Sequence, residues 1–414
     1  MTMNGVAKHA IGKAAKDNIF GANAAAVEAA KKIGAENVTN ATIGAILDDN
    51  EKLVTLPTVS KVFRTLQDNQ YFAYAPIAGL ADFLKLVQDD CFGASKPEGY
   101  IQAIATSGGT GAIHHTIWNY TDPNETVLTS EWYWGPYKVL CRDMNRKLDT
   151  YRMLTEDNKF DCASLEAKVN EILTKQDNIL LIINTPAHNP TGYSLTPEDI
   201  AKVIEILKAA TKGGKKAVLL LDVAYIDYAG EREEVRKIFK NLAHLPENII
   251  GLVAYSLSKG YTMYGQRCGA LLNVAATKEQ SQEFYDVNQY TSRATWSNIN
   301  RGAMQTLVTI LQDEKLKADI MKERNQYYAL IKERGDLFTK EAAACGLKMV
   351  PYIAGFFTSI PCTDPGAACD ILHKDNIYAV PLAKGIRVAL CAIPKKKVAG
   401  MAAKIKAAVD AVEK

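Results

Sequence analysis

The chain has 414 residues, 48% hydrophobic and 23% charged, with a net charge of +3 and eight cysteines. That length exceeds one simple core and predicts two domains, one of them discontinuous, while the near-neutral charge gives no reason to invoke nucleic acid or a membrane surface. The cysteines (Cys91, Cys141, Cys162, Cys268, Cys345, Cys362, Cys369, Cys391) are scattered with no Cys-x-x-Cys pair, which argues against a disulfide framework or a zinc cluster and for reduced thiols in the cytoplasm. Lys8, Lys13 and Lys16 stand near the N-terminus without a long apolar region, and no stretch is long and apolar enough to span a bilayer. A soluble, cytoplasmic protein without a signal peptide is the expectation.

In chain order, Asn23 to Ile33 reads as a helix capped by Asn23, and Pro57 to Leu66 as another. Pro76 and Gly79 mark a loop that leads into a helix around Ala81 to Asp90. Tyr100 to Ser107 is strand-like and enters Gly108-Gly109-Thr110-Gly111, with a helix continuing to Trp118. Glycines there let backbone N–H groups approach an anion at a helix N-terminus, although a tight strand-to-helix turn explains the same pattern. Thr126 to Thr129 is a strand ending at Trp132-Tyr133-Trp134, aromatics that serve either as core or as a wall of a flat ligand site. Ile179 to Ile183 is a fully apolar strand, followed by Asn184-Thr-Pro-Ala-His188-Asn189-Pro190-Thr191-Gly192. Thr196-Pro197-Glu198-Asp199 is a capping pattern that opens a helix. Val218 to Leu221 is a further buried strand ending in Asp222, a carboxylate that needs a cation or a donor to face.

Ile249 to Ala254 leads into Tyr255-Ser256-Leu257-Ser258-Lys259-Gly260, with Arg267 close behind and the apolar pair Leu271-Leu272 after it. A lysine between two buried runs is either a solvated strand-end residue or an amine whose pKa is lowered by desolvation and a nearby cation. Beyond Arg301 a helical pattern runs to about Ala344 with a break near Gly335, and short strands (356–360, 377–381, 385–390) precede a helix from Lys397 to Val412. The reading is an α/β fold: a mixed, mostly parallel sheet flanked by helices over 48–310, with a smaller α+β domain from 1–47 and 311–414. The turn after Ser107, Trp134, Asn189, Asp222 and Lys259 all fall at the carboxyl ends of strands, where such sheets gather ligands.

A reactive lysine, a buried aspartate and an anion-cradling turn suit pyridoxal phosphate. Ser256-Leu-Ser-Lys259 with Gly265-Gln-Arg267-Cys-Gly269, and His188-Asn-Pro-Thr-Gly192, resemble the cofactor-lysine signature and ring loop of the class I aminotransferases with the aspartate aminotransferase fold. The resemblance runs over nearly the whole chain. It implies Lys259 as the Schiff-base lysine and proton shuttle, Asp222 at the ring nitrogen, and Tyr225 and Asn189 at the ring's phenolic oxygen. It places Gly109, Thr110, Ser256 and Arg267 at the phosphate, with Tyr74 reaching it from the neighbouring subunit of a homodimer, and Trp134 stacked on the ring. Arg387 would grip the substrate α-carboxylate, which its planar fork matches, and Gly44 matches a glycine of the segment that covers the substrate. Arg293 would reach the partner's site for a second carboxylate, against the plain alternative of an exposed arginine in the polar loop Asn288–Arg293. His188 reads as structural. Where the family often has Asn-His after the stacking tryptophan, Pro136-Tyr137 stands here, which leaves the tuning of Asp222 open. The expectation is transamination from aspartate or an aromatic amino acid to 2-oxoglutarate. A β-eliminating lyase on the same fold is the alternative, and a non-catalytic binding module the third reading.

Overall fold

Strands that are apolar on both faces must lie between helices, and here they form the centre of the molecule. The computed structural model describes residues 5–13 and 18–413, so Lys16 and part of the 1–47 stretch fall outside it. Seven strands make the main sheet: β1 (Ala103–Thr106), β2 (Thr126–Ser130), β3 (Lys147–Tyr151), β4 (Asn178–Asn184), β5 (Lys216–Asp222), β6 (Ile249–Ser256) and β7 (Gly269–Val274). Their order across the sheet is β1-β7-β6-β5-β4-β2-β3, and only β7 runs against the others. Side chains alternate by face. Leu181, Leu219 and Val253 pack with Ile200, Val203 and Leu207 of the helix Pro197–Ala210. Leu180, Leu220 and Leu252 pack instead with Ile113, Tyr137 and Phe284 on the opposite side.

A second, antiparallel sheet is ordered β9-β10-β8, from β8 (Phe357–Pro361), β9 (Val380–Leu382) and β10 (Gly385–Ala389). It shares a separate core with Leu372, Met401 and Ile405 from two helices, Pro365–Lys374 and Met401–Val412. The mixed, mostly parallel sheet and the smaller α+β domain are thus both present. Among the described residues no helix is long and apolar enough to cross a membrane.

Four local expectations are corrected. Asn23 caps nothing: the helix runs Asn18–Ile33, and the Asn23 carboxamide oxygen accepts from Asn40 Nδ2 at 2.9 Å. The break in the long helical stretch lies at Asp313, not Gly335, because the Asp313 carboxylate caps Lys315 and Leu316 N–H at 2.9 and 3.0 Å. Gly335 sits inside the uninterrupted helix Glu314–Cys345, where the Tyr352 ring leaves no room for a side chain. The C-terminal helix starts at Met401, after Gly400 takes a left-handed conformation. Residues 288–293 form the end of a helix, Lys278–Thr295, and not a loop. Their polar side chains are satisfied within it and across to its neighbour: Asn288 Nδ2 donates to Phe284 O at 2.7 Å and Thr291 Oγ1 to Asn119 Oδ1 at 2.8 Å.

Candidate active site

At the carboxyl rim of the main sheet, strand ends and loops line a cavity. Gly109, Thr110, Trp134, Asn189, Asp222, Tyr225, Ser256, Lys259 and Arg267, all expected from the sequence, line it together. Ser256 ends β6 in extended backbone, and its hydroxyl accepts the Ser258 N–H at 3.3 Å. This starts a single helical turn, Leu257–Gly260, that aims Lys259 into the cavity. Burial drives the Lys259 amine down to a pKa of about 8; the Arg267 cation pushes the same way and the Asp222 carboxylate opposes it. Its Nζ stands 5.2 Å from the Tyr225 ring centroid.

Asp222 ends β5 in register with Asn184 of β4. Its Oδ2 accepts the Tyr137 hydroxyl at 2.6 Å and its Oδ1 the Ala224 N–H at 3.2 Å. Desolvation nevertheless raises its pKa above the usual carboxylate value, with those two donors and Lys259 only partly offsetting the cost. Tyr137 therefore occupies the place behind Asp222, and its own pKa lies well above that of free tyrosine because it is buried beside a carboxylate. The Tyr225 hydroxyl accepts from Asn189 Nδ2 at 3.1 Å, and Asn189 N–H donates to Asn184 Oδ1 at 2.6 Å.

The opposite end is cationic. Gly109 and Thr110 open the helix Gly108–Tyr120, whose first N–H groups have no partner within the helix. Arg267 lies against Gly108, and its Nη1 donates to Ser258 Oγ at 3.1 Å and Tyr264 O at 2.8 Å. Beyond Asn189, the buried Arg387 donates from Nη1 to Asn189 Oδ1 at 3.4 Å and from Nη2 to Thr42 O at 2.8 Å, with its guanidinium 4.3 Å from the Phe357 ring centroid. Gly44 lies against the same Phe357 ring.

Of the other expected residues, Gly44 and Arg387 lie beyond the cavity lining next to Phe357, and two more, Tyr74 and Arg293, stand well apart from it. Tyr74 is 89% exposed, with its carbonyl accepting from Arg301 Nη1 at 3.1 Å. Arg293 is exposed on the last helical turn, hydrogen-bonded to Ser297 Oγ. His188 is buried, bonded through Nδ1 to Thr191 Oγ1 at 2.8 Å and brought down to a pKa of about 3 by desolvation, as a structural histidine would be. Sequence reasoning missed Asn184 and Ser258 as lining residues. Asn184 carried the same signal as Asp222, a polar residue closing an apolar strand.

It also missed a buried charge cluster directly behind the Lys259 turn, built from Asp90, Asp227, Arg232, Arg236 and Arg324. Arg236 Nη2 lies 2.7 Å from Asp227 Oδ1, and Arg324 Nη1 is 3.7 Å from Asp90 Oδ1 and 3.6 Å from Asp227 Oδ1.

The profile of the family "Aminotransferase class I and II" matches residues 36–405. An aminotransferase from Anaerococcus prevotii superposes with a TM-score of 0.96 at 36% identity, over 99% of this chain and 100% of that one. The aromatic-amino-acid aminotransferase of Burkholderia pseudomallei, solved covalently bound to pyridoxal phosphate, superposes at 0.81 with 22% identity, over 99% and 100% of the two chains. The mitochondrial aspartate aminotransferase of Arabidopsis thaliana is 24% identical over 294 residues, 69% of this chain and 65% of its own length. With that profile spanning most of its length and the aspartate aminotransferase fold around its cavity, the chain belongs to the pyridoxal-phosphate-dependent class I and II aminotransferases.

Proposed function

We propose that the chain transfers amino groups from aspartate or an aromatic amino acid to 2-oxoglutarate, as a homodimer with shared sites. The observation that carries this reading is the convergence of the Lys259 amine, the Asp222 carboxylate and the Tyr225 hydroxyl on one cavity with a cationic end. Pyridoxal phosphate is the cofactor, and the residues fit it. The free N–H groups at Gly109 and Thr110, with Arg267 over them, suit a phosphate dianion. Asp222 has a neutral donor on each oxygen and still faces the cavity, so it can receive a protonated ring nitrogen. The cofactor supplies an aldehyde that captures amines and a ring that accepts the electrons left by a broken Cα–H bond.

The chain's own residues do the rest. Lys259 Nζ, with its lowered pKa, is partly uncharged near neutral pH, so it can hold the aldehyde and later take and return the substrate Cα proton. Tyr137 and Ala224 N–H hold the Asp222 carboxylate in place and favour its charged form. Tyr225 and Asn189 form a hydrogen-bonded pair that would meet the ring's oxygen, and Trp134 would cover a face of the ring. Arg387 binds the substrate α-carboxylate; Thr42 O and Asn189 Oδ1 orient its fork. Exposed Tyr74 and Arg293 serve the neighbouring subunit's cavity, which would explain why neither reaches the cavity of its own chain.

Each amino acid mixed singly with the cofactor-loaded enzyme, without acceptor, tests the substrate class through loss of the visible band. Aspartate or an aromatic amino acid should convert it; steady release of ammonia without an acceptor would favour the lyase. Arg293→Ala should cost aspartate about 2–5 kcal/mol in kcat/KM and phenylalanine much less, whereas Arg387→Ala should damage both. Equal losses on both substrates in Arg293→Ala would reopen the substrate class.

A further inference from the structure

The Lys259 turn is only four residues long, too short to hold its own geometry. At its ends Leu257 N–H donates to Cys268 O at 3.1 Å and Lys259 O accepts the Thr262 N–H at 2.9 Å, which leaves the Gly260 carbonyl to a side chain. Arg267 holds Ser258 from the cavity side, and the contacts on the far side come from the buried charge cluster. Arg324, on the helix Glu314–Cys345, donates from Nε to Gly260 O at 2.6 Å, and its guanidinium lies 4.2 Å from the centroid of the Tyr261 ring. The Tyr261 hydroxyl donates to Asp90 Oδ2 at 2.8 Å. On the other flank the Tyr255 hydroxyl donates to the same Asp90 oxygen at 2.7 Å. Both flanks of the turn therefore hang from one carboxylate. Gly260 faces Asp227 so closely that any side chain there would collide with the carboxylate.

Resting on the reading of Lys259 as the amine that captures pyridoxal phosphate, we propose that Arg324, with Asp90 and Tyr261, is a positioning device that sets where the Lys259 amine stands in the cavity. None of the three lines the cavity. They act through the backbone of the turn. Aligning Nζ is an orientational contribution, of the kind that is lost when a reacting group shifts by about 1 Å. The groups facing Nζ are the Asp222 carboxylate, the Arg267 guanidinium, the Tyr225 ring and the Cys391 thiol. Loosening the turn changes the amine's distance from all of them and its exposure to water.

The test compares two ligands on cofactor-free protein. Pyridoxal phosphate is captured by Lys259, a C–N bond forming as one water leaves, and absorbance follows it. Pyridoxamine phosphate fills the same cavity but has no aldehyde to capture. Tyr261→Phe removes one hydroxyl and keeps the ring under Arg324. It should slow capture about tenfold, move the midpoint of its pH dependence upward, and leave the Kd for pyridoxamine phosphate within about twofold. Arg324→Lys keeps the charge but cannot both reach Gly260 O and lie flat over the ring, so its loss of capture should be larger with the same selectivity. Unchanged capture and midpoint in Tyr261→Phe would overturn the proposal, even if Arg324→Lys failed to fold. Equal weakening of both ligands would also overturn it, since the cluster would then support the cavity as a whole. A wild type that captures no pyridoxal phosphate would overturn the underlying reading as well.

Discussion

Two groups of buried charges lie back to back across the Lys259 turn, and desolvation acts on both, with opposite results. In the cluster behind the turn, Asp227 has three guanidiniums within 3.8 Å, and its pKa falls below the usual carboxylate value although its side chain is buried. In the cavity, Asp222 has two neutral donors and a single, itself desolvated amine nearby, and its pKa rises. The cations diverge too: Arg324 is held more firmly protonated, while Lys259 drops to about 8. Burial alone makes neither a structural anchor nor a reactive group. The number and nearness of opposite charges decide which it becomes.

The contrast can be broken most forcefully at Asp227. Asp227→Asn leaves three arginines facing one aspartate and should cost about 3–5 kcal/mol in urea unfolding, because a buried pair loses one partner. The pH dependence has a definite sign. Since the folded pKa of Asp227 is depressed, its contribution is complete above the ordinary carboxylate pKa and lost as pH falls below it. The variant should accordingly lose less stability than wild type between neutral and acid pH. Asp222→Asn should leave stability nearly intact and cut the single-turnover rate roughly 10²–10³-fold, the scale of removing a preorganised electrostatic partner. A near-native rate would show that the carboxylate does not act on the ring nitrogen.

The Lys259 amine sharpens the same contrast by titration. Below a pKa of about 8 the uncharged fraction rises tenfold for each pH unit. Capture of pyridoxal phosphate by the cofactor-free enzyme should follow that slope and level off above it. A midpoint near that of free lysine would mean the cavity does not desolvate the amine. Smallest is Tyr137→Phe, which deletes one neutral donor to Asp222 while keeping the ring. A loss of roughly 0.5–1.5 kcal/mol in single-turnover rate is expected, with cofactor affinity unchanged. Because the Tyr137 donor lowers the Asp222 pKa, the acid limb of the variant's pH profile should lie at higher pH than that of wild type, while the alkaline side, where Tyr137 stays protonated, is unchanged.

Sequence patterns reported different features unequally. Apolar runs such as Ile179–Ile183 and Val218–Leu221 located the central strands because burial on both faces leaves few alternatives. Polar residues closing those runs, Asp222 and Ser256, located the rim, and the motif around Lys259 joined them into a site. The edge strand β3, Lys147–Tyr151, went unread, since an edge strand needs no apolar alternation. The end of the helix Lys278–Thr295 looks like a loop in the sequence because Asn288, Thr291 and Ser292 are polar, and only tertiary contacts with Asn119 and His115 make polarity there compatible with burial. The charge cluster was illegible for a similar reason. Asp90, Asp227 and Arg324 are far apart in sequence, and each alone looks like an ordinary surface charge.

The aromatic residues give the enzyme an optical gauge of its own. Of the four tryptophans, Trp118, Trp132, Trp134 and Trp296, only Trp134 lines the cavity. Trp296 stacks flat on His115, with ring centroids 4.4 Å apart and planes within 2°, and burial holds that imidazole to a pKa of about 3. Above about pH 5 His115 is therefore neutral, so the quenching of indole emission by a charged imidazolium does not arise there. Trp134, in the cavity wall, is the indole that whatever fills the cavity would touch. Trp134→Phe should therefore reduce, without abolishing, the emission change that accompanies filling of the cavity.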